Sequence, residues 1–261
     1  MCLVETGESR TLNTDHSVAA ALRELSICLA RLADALDQTT IPTSTIRELI
    51  TNEFHDEGIS NVQELIAFCA RVSNPSNQIN NETSEKLINY LIANKHWSPL
   101  EMVSACIEIE TTRDIARQIL RHRSFSFQEF SQRYADPTKD LSFVIREARL
   151  QDTKNRQNSI PTDDVPLLKE WNERQSKLIE LAKDTYNWAI RNGIAKEQAR
   201  AVLPEGNTVS RMYMNGTLRS WVHYIELRSG HGTQKEHMDI AVAIAKVISG
   251  IFPMAKQIAK I

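Results

Sequence analysis

The sequence lacks a large net charge, a paired-cysteine motif and any long apolar run, and each absence removes a class of function. A formal charge of -2 over 261 residues gives no global field to draw in a polyanion. Its arginines must therefore act locally, on a small anion rather than on nucleic acid. The four cysteines, Cys2, Cys28, Cys69 and Cys106, are scattered without C-x-x-C spacing. That excludes the usual zinc and dithiol signatures; they read as reduced thiols, the interior ones packing as small apolar groups, and no metal is expected. No stretch approaches the ~20 apolar residues of a bilayer span, and the first residues lack the basic-then-apolar order of a signal peptide. A soluble, cytoplasmic protein without a membrane partner is the expectation. The Gly-x-Gly-x-x-Gly fingerprint is missing too, and strands and helices do not alternate as a doubly wound sheet requires. There is no internal repeat and no low-complexity tract.

What remains is enough chain for one sizeable core, as one large domain or a domain with an appendage. From His16 to Leu36, apolar residues recur at three- and four-residue intervals, an amphipathic helix that Pro42 and its hydroxyl neighbours bring to an end. Residues 1–45 are expected to be an N-terminal appendage and 46–261 the main domain. After a further short segment, 46–54, helices are expected over 61–72 and 84–94. Val103, Ala105, Ile107 and Ile109 then alternate with Ser104, Cys106, Glu108 and Glu110, a strand with one buried face. Thr111-Thr112 offers a hydroxyl cap to a helix reaching about Arg121. A polar connection over 135–166 has no strong period and suits a lid, a subunit contact or a mobile surface. Residues 167–192 read as one long helix with Leu168, Trp171, Leu178, Leu181, Ala182, Tyr186 and Ile190 near its apolar side. A short helix over 194–201, a strand over 209–214, and helices over 217–228 and from Gln234 to about Lys256 complete an α+β pattern. The expected sheet is small and mainly antiparallel, flanked by helices, with no Rossmann domain.

The densest chemistry lies in Arg121-His122-Arg123-Ser124-Phe125-Ser126-Phe127-Gln128-Glu129-Phe130-Ser131-Gln132-Arg133-Tyr134. Three guanidinium groups, an imidazole, a carboxylate and several hydroxyls surround aromatic rings. The planar forks of Arg121, Arg123 and Arg133 suit phosphate or diphosphate oxygens, while Glu129 would repel them and suits sugar hydroxyls or a ring N–H. The combination points to a nucleotide held at both ends. On the preceding helix Arg113, Arg117 and Arg121 form one basic ridge, with Gln118 beside it.

Arg-His-Arg, seven residues, then Ser, continuing into Ser-Gln-Arg-Tyr, resembles the signature of the flavin-dependent thymidylate synthases, and the resemblance runs from about residue 62 to 245. It implies a methyltransferase that makes dTMP from dUMP, taking carbon from methylenetetrahydrofolate and reducing equivalents from NADPH through FAD. It also implies a homotetramer whose sites combine several subunits. Carried over residue by residue, it assigns the dUMP site to Gln118, Arg121, Glu129, Phe130, Ser131, Gln132, Arg133, Arg200 and Arg228. FAD falls to Ser73, His96, Ser98, Glu101, Arg121, His122, Arg123, Ser124, Glu129, Thr217, Arg219 and His223. Gln128 and Thr217 stand where asparagine is common in the family.

Taken alone, Ser73 closes a helix, His96 sits beside a proline turn and Arg200 is a solvated helix residue. The resemblance makes Arg228 the catalytic residue: a guanidinium beside the pyrimidine would stabilise charge spreading over N3 and the carbonyls and so enrich C5. Ser131 has no adjacent base and suits anchoring rather than attack. Two other readings stay open on the residues: a family member that binds flavin without synthase activity, and a phosphate- or RNA-binding module.

Overall fold

The computed structural model describes the backbone of residues 46–50 and the residues 61–230, 232–253 and 255. The expected appendage, with its helix over 16–36, lies outside the described residues, as does His231.

The centre of the fold is an antiparallel sheet ordered β1-β2-β6-β3. Its middle pair is β2, Ser104–Thr112, and β6, Val209–Thr217, in register from Ser104 opposite Thr217 to Thr112 opposite Val209. The alternation legible in β2 is the reason it forms. Ala105, Ile107 and Ile109 are fully buried, and Met214 and Met212, their partners on β6 opposite Ile107 and Ile109, are buried with them. Such cross-strand apolar pairs on one face are the stabilising unit of a sheet. The alternation is incomplete on the other face, where Glu108 is also buried. β6 runs three residues beyond the expected Met214. The edges are β1, Ile46–Ile50, and β3, Ser126–Glu129. β3 was not expected: the arginine-rich stretch enters the sheet, with Ser126 opposite Asn215 and Glu129 opposite Met212.

The helices are α1, Val62–Ala70; α2, Ser84–Ala93; and α3, Arg113–Ile119. They continue as α4, Pro137–Asp140; α5, Val165–Arg191; α6, Lys196–Ala199; α7, Leu218–Arg228; and α8, Lys235–Ile248. Local chemistry sets their ends. The Asn61 side chain accepts from Glu64 N, and Asp164 accepts from Leu167 N at 3.1 Å. Gly193, at φ 78°, follows the last turn of α5 in the left-handed region open to glycine.

Two expectations are corrected. The helix that begins near Gln234 ends at Ile248, not near Lys256, because the chain turns through Ser249-Gly250-Ile251 and meets Pro253. On α5 the buried stripe is Gln175, Ile179, Ala182, Tyr186 and Ala189. Trp171, Leu178 and Leu181, assigned to the apolar side, are exposed, and Trp188 continues their line.

The polar connection is pinned. Phe143 bridges to Thr208, Val144 N donates to Asn207 O, and a small hairpin forms from β4, Arg149–Gln151, and β5, Ser159–Pro161. The buried Gln175 amide accepts from Arg146 N at 2.8 Å and donates to Arg146 O at 2.9 Å, fastening the connection to α5. The architecture is α+β with small antiparallel sheets, as expected, and no Rossmann arrangement occurs among the described residues.

Candidate active site

The loop between α3 and β3 is held by one ring. Phe125 is buried, its centroid 4.6 Å from that of Trp221 and 6.0 Å from that of Tyr224 on α7. It packs against Gly216 of β6, where an added Cβ would come within 2.4 Å of Phe125 Cδ1. Ser220 Oγ donates to Ser124 O at 3.3 Å. With Phe125 seated, Arg121 and Arg123 stay exposed, and among the described residues neither side chain has a carboxylate partner.

His122 turns inward. Its Nε2 accepts a hydrogen bond from Arg228 Nε at 2.9 Å. A guanidinium only donates, so this imidazole nitrogen carries no proton. Burial first, then the charges of Arg228 and Arg121, push the His122 pKa down to about 4. A neutral histidine thus orients Arg228 through Nε, and among the described residues no hydrogen bond or ion pair engages the two Nη groups.

Behind this pair runs a chain of polar groups that the sequence reading missed. His237 is fully buried, with Nε2 3.0 Å from the Tyr224 hydroxyl and Nδ1 3.2 Å from Gln118 Oε1. Gln118 Nε2 donates to Gln234 Oε1 at 2.8 Å, and Gln234 Nε2 donates to Glu236 Oε2 at 2.9 Å. Burial alone would raise the Glu236 carboxyl, but the Arg149 hydrogen bond, its own backbone amide, Gln234 and the Arg146 charge together bring it down to about 2. Burial drives His237 down to about 3, helped by Arg228 and His122. Burial also pushes the Tyr224 hydroxyl well up. The one legible signal was His237, in line with Ile240 and Ile244 on the buried side of α8.

The other expected residues fall into two further groups. In one, Arg219 pairs with Glu101, and His223 packs edge-on against Trp97 at 4.6 Å. His96 and Ser98 lie on either side of Trp97, both exposed. Lys95, at φ 60°, turns the chain there, and His96 N donates back to Leu91 O. Thr217 Oγ1 caps α7, and Ser73 sits exposed in the turn after α1.

In the other group, Glu129 accepts from Ser210 Oγ at 2.8 Å and from Arg117 at 3.2 Å, with Arg113 at 3.6 Å. The first two arginines of the ridge are therefore neutralised within the fold. Phe130 N donates to Arg211 O, Ser131 Oγ accepts from Arg133 N at 3.4 Å, and Arg133 reaches Glu197 at 3.6 Å. Gln132 is buried; among the described residues its Nε2 has no partner, and Arg200, which follows α6, has no carboxylate partner. Among the described residues no hydrogen bond or ion pair joins either group to Arg228.

Burial pushes the Cys69 and Cys106 thiols up, so neither is an activated nucleophile. No metal-binding cluster of histidine, cysteine or carboxylate occurs among the described residues, and none of their helices is long and apolar enough to cross a membrane.

Comparison with known proteins matches this chain to a family. The model of the thymidylate synthase complementing protein family matches residues 57–254. A probable flavin-dependent thymidylate synthase of Paramecium bursaria Chlorella virus 1 is 50% identical over 200 residues, spanning 76% of this chain and 90% of the relative. The flavin-dependent thymidylate synthase of Synechocystis sp. is 50% identical over 189 residues, spanning 72% and 85%. The fold is also that of a crystallised UMP/dUMP methylase, PolB from Streptomyces cacaoi, with TM-score 0.68 and 23% identity over 82% of this chain and 93% of the other. The arginine-rich stretch with its partner Arg228 thus sits inside a matched region of nearly full relative length, and the chain belongs to the flavin-dependent thymidylate synthase family.

Proposed function

We propose that this chain converts dUMP to dTMP by reductive methylation, with methylenetetrahydrofolate as carbon donor and NADPH as reductant through FAD. The observation that carries the reading is Arg228, held through Nε by a neutral imidazole, with neither Nη group bonded among the described residues. Uracil C5 is a weak nucleophile. Guanidinium N–H groups bonded to the pyrimidine carbonyl oxygens stabilise negative charge spread over the ring, which enriches C5 for its attack, and they do so best when already oriented. Burial keeps both described thiols protonated, so neither Cys69 nor Cys106 is poised to add at C6.

Ser131, Arg133 and Arg200 anchor the nucleotide's sugar and phosphate in this reading, with Gln118 and Arg228 at the base. Phe130 and Gln132 contribute through backbone groups other than the Phe130 N–H, which is given to Arg211 O, so the identity of their side chains matters little. The donor set also fits FAD: Arg121 and Arg123 are exposed cations without carboxylate partners, matched to a diphosphate, and Ser73, Ser98 and Ser124 add hydroxyls. His96, Glu101, Thr217, Arg219 and His223 complete the flavin contacts. FAD, when bound, supplies the reducing equivalents for the new methyl group. Residues of the three groups meet across subunits of a homotetramer, a reading supported by the exposed line Trp171, Leu178, Leu181 and Trp188 on α5. The cytoplasm is the compartment that suits reduced thiols and these substrates.

The test is dTMP formation by purified protein with FAD, NADPH and methylenetetrahydrofolate, beside Arg228→Ala. Product from the parent protein and a loss of at least about a hundredfold in the variant are expected. Yellow protein without product would sink the reading in favour of a flavin-binding member that lacks synthase activity.

A further inference from the structure

We propose that His237 is a positioning residue that fixes which way the Gln118 side-chain amide faces, and through it how tightly the nucleotide base is held. The inference rests on the reading that Gln118 touches dUMP.

The polarity of the chain decides the matter. An ionised carboxylate can only accept, so Gln234 must turn its Nε2 to Glu236, which leaves Gln234 Oε1 to accept from Gln118 Nε2. Gln118 Oε1 then has to be the acceptor facing His237 Nδ1, which must carry the ring proton. With Nδ1 protonated in a neutral ring, Nε2 accepts, and the Tyr224 hydroxyl donates to it. Every donor is thus assigned from one charged end, and a flipped Gln118 would set its Oε1 against Gln234 Oε1 and its N–H against the protonated Nδ1. Each carboxamide has two N–H donors and two acceptor lone pairs. The chain takes one of each from Gln118, leaving one N–H and one lone pair in a fixed orientation. That remaining pattern complements a uracil edge, where a carbonyl oxygen lies beside the N3–H.

His237 is 0% exposed and occupies a position in the apolar stripe of α8 where an aliphatic residue would pack without desolvating an imidazole. A buried polar group in such a place costs stability unless it is fully bonded, and here both ring nitrogens are bonded.

The experiment is a double-mutant cycle on flavin-loaded protein, read as the Kd for dUMP by calorimetry. Gln118→Ala and His237→Leu should each weaken binding roughly 5- to 10-fold, the range for one lost hydrogen bond, with the flavin absorbance unchanged. The double variant should bind no worse than Gln118→Ala within about twofold, since His237 acts only through Gln118. His237→Asn, whose amide nitrogen stands near the Nδ1 position, should recover most of the loss.

A His237→Leu protein that binds dUMP as the parent does would overturn the proposal. So would a His237→Leu effect that persists in full in the Gln118→Ala background, since that marks a purely structural role. If Gln118→Ala itself binds dUMP normally, the reading that Gln118 touches the nucleotide has failed instead. Should His237→Leu not fold, Gln234→Met breaks the same chain from its other side and runs the same cycle.

Discussion

Arg228 donates through Nε to His122 Nε2 at 2.9 Å, so the residue expected to act on the pyrimidine is aimed by a residue expected to contact flavin. The arrangement works only while the imidazole is neutral. His122→Leu removes the acceptor and should lower kcat by about tenfold or more with flavin still bound. His122→Gln, whose amide oxygen can take the Nε2 place, should recover much of it. Steady-state rates with flavin occupancy measured in parallel decide this, and equal loss in both variants counts against the orienting role.

Acid should weaken the fold through the same groups. His122 and His237 are held at about 4 and about 3, against 6.5 for the free side chain. Below pH 6.5 the unfolded chain therefore takes up protons that the folded chain refuses, and stability falls as pH drops. Glu236, held at about 2 against 4.5, loses its contribution only below pH 4.5. The melting temperature should fall from pH 7 to pH 5, and His237→Leu should show a shallower fall. A melting temperature independent of pH over that range would contradict both assignments.

Gly216 is required by Phe125. A methyl group there would sit 2.4 Å from the ring, so Gly216→Ala should cost about 1–3 kcal/mol, the usual range for overpacking. Phe125→Leu in the same protein should restore part of the loss. Thermal or denaturant melts of the three proteins test it.

Ser131 has no base beside it, and its Oγ accepts only a long bond from Arg133 N. Ser131→Ala should raise KM for dUMP several-fold and leave measurable turnover. Complete loss at saturating dUMP would require a chemical role for the hydroxyl.

The exposed line on α5 gives a test of assembly. Leu178→Glu with Leu181→Glu places two charges among apolar side chains that are now 50% and 65% exposed. If the line is a subunit contact, light scattering should report a smaller particle, with activity lost and helix content kept. An unchanged mass would remove α5 from the interface.

The sequence made β2 legible because its side chains alternate, and the long helix legible because its period and its Gly193 stop agree. It did not show β3, where Ser126, Gln128 and Glu129 carry no apolar alternation and the strand exists because β6 supplies a partner. The end of α8 was overrun although Gly250 and Pro253 marked it, because apolar residues continued beyond. At the site, the arginine-rich stretch and Arg228 stood out by composition and resemblance. The Gln118 to Glu236 chain did not, since its link from His237 to Gln118 spans 119 positions and each member alone reads as a polar residue on a helix. Local spacing carries helices and strands; a hydrogen-bonded chain across the core has no local signature.

β2 and β6 lie side by side and each passes directly into a helix, α3 after Thr112 and α7 after Thr217. Because the strands are antiparallel, the two helices leave from opposite ends of the pair. They run back for about 10 Å and about 16 Å, until His122, just past one, meets Arg228, the last residue of the other. Two carboxyl-terminal helix ends therefore point into the same place, each bringing partial negative charge. Nucleotide sites more often set phosphate against a helix's amino end, where backbone N–H groups are free to receive it. Here the local dipoles oppose an anion, so any negative charge brought to this meeting point has to be balanced by side chains, and Arg121 and Arg123 beside His122, with Arg228 itself, are the cations placed to do so.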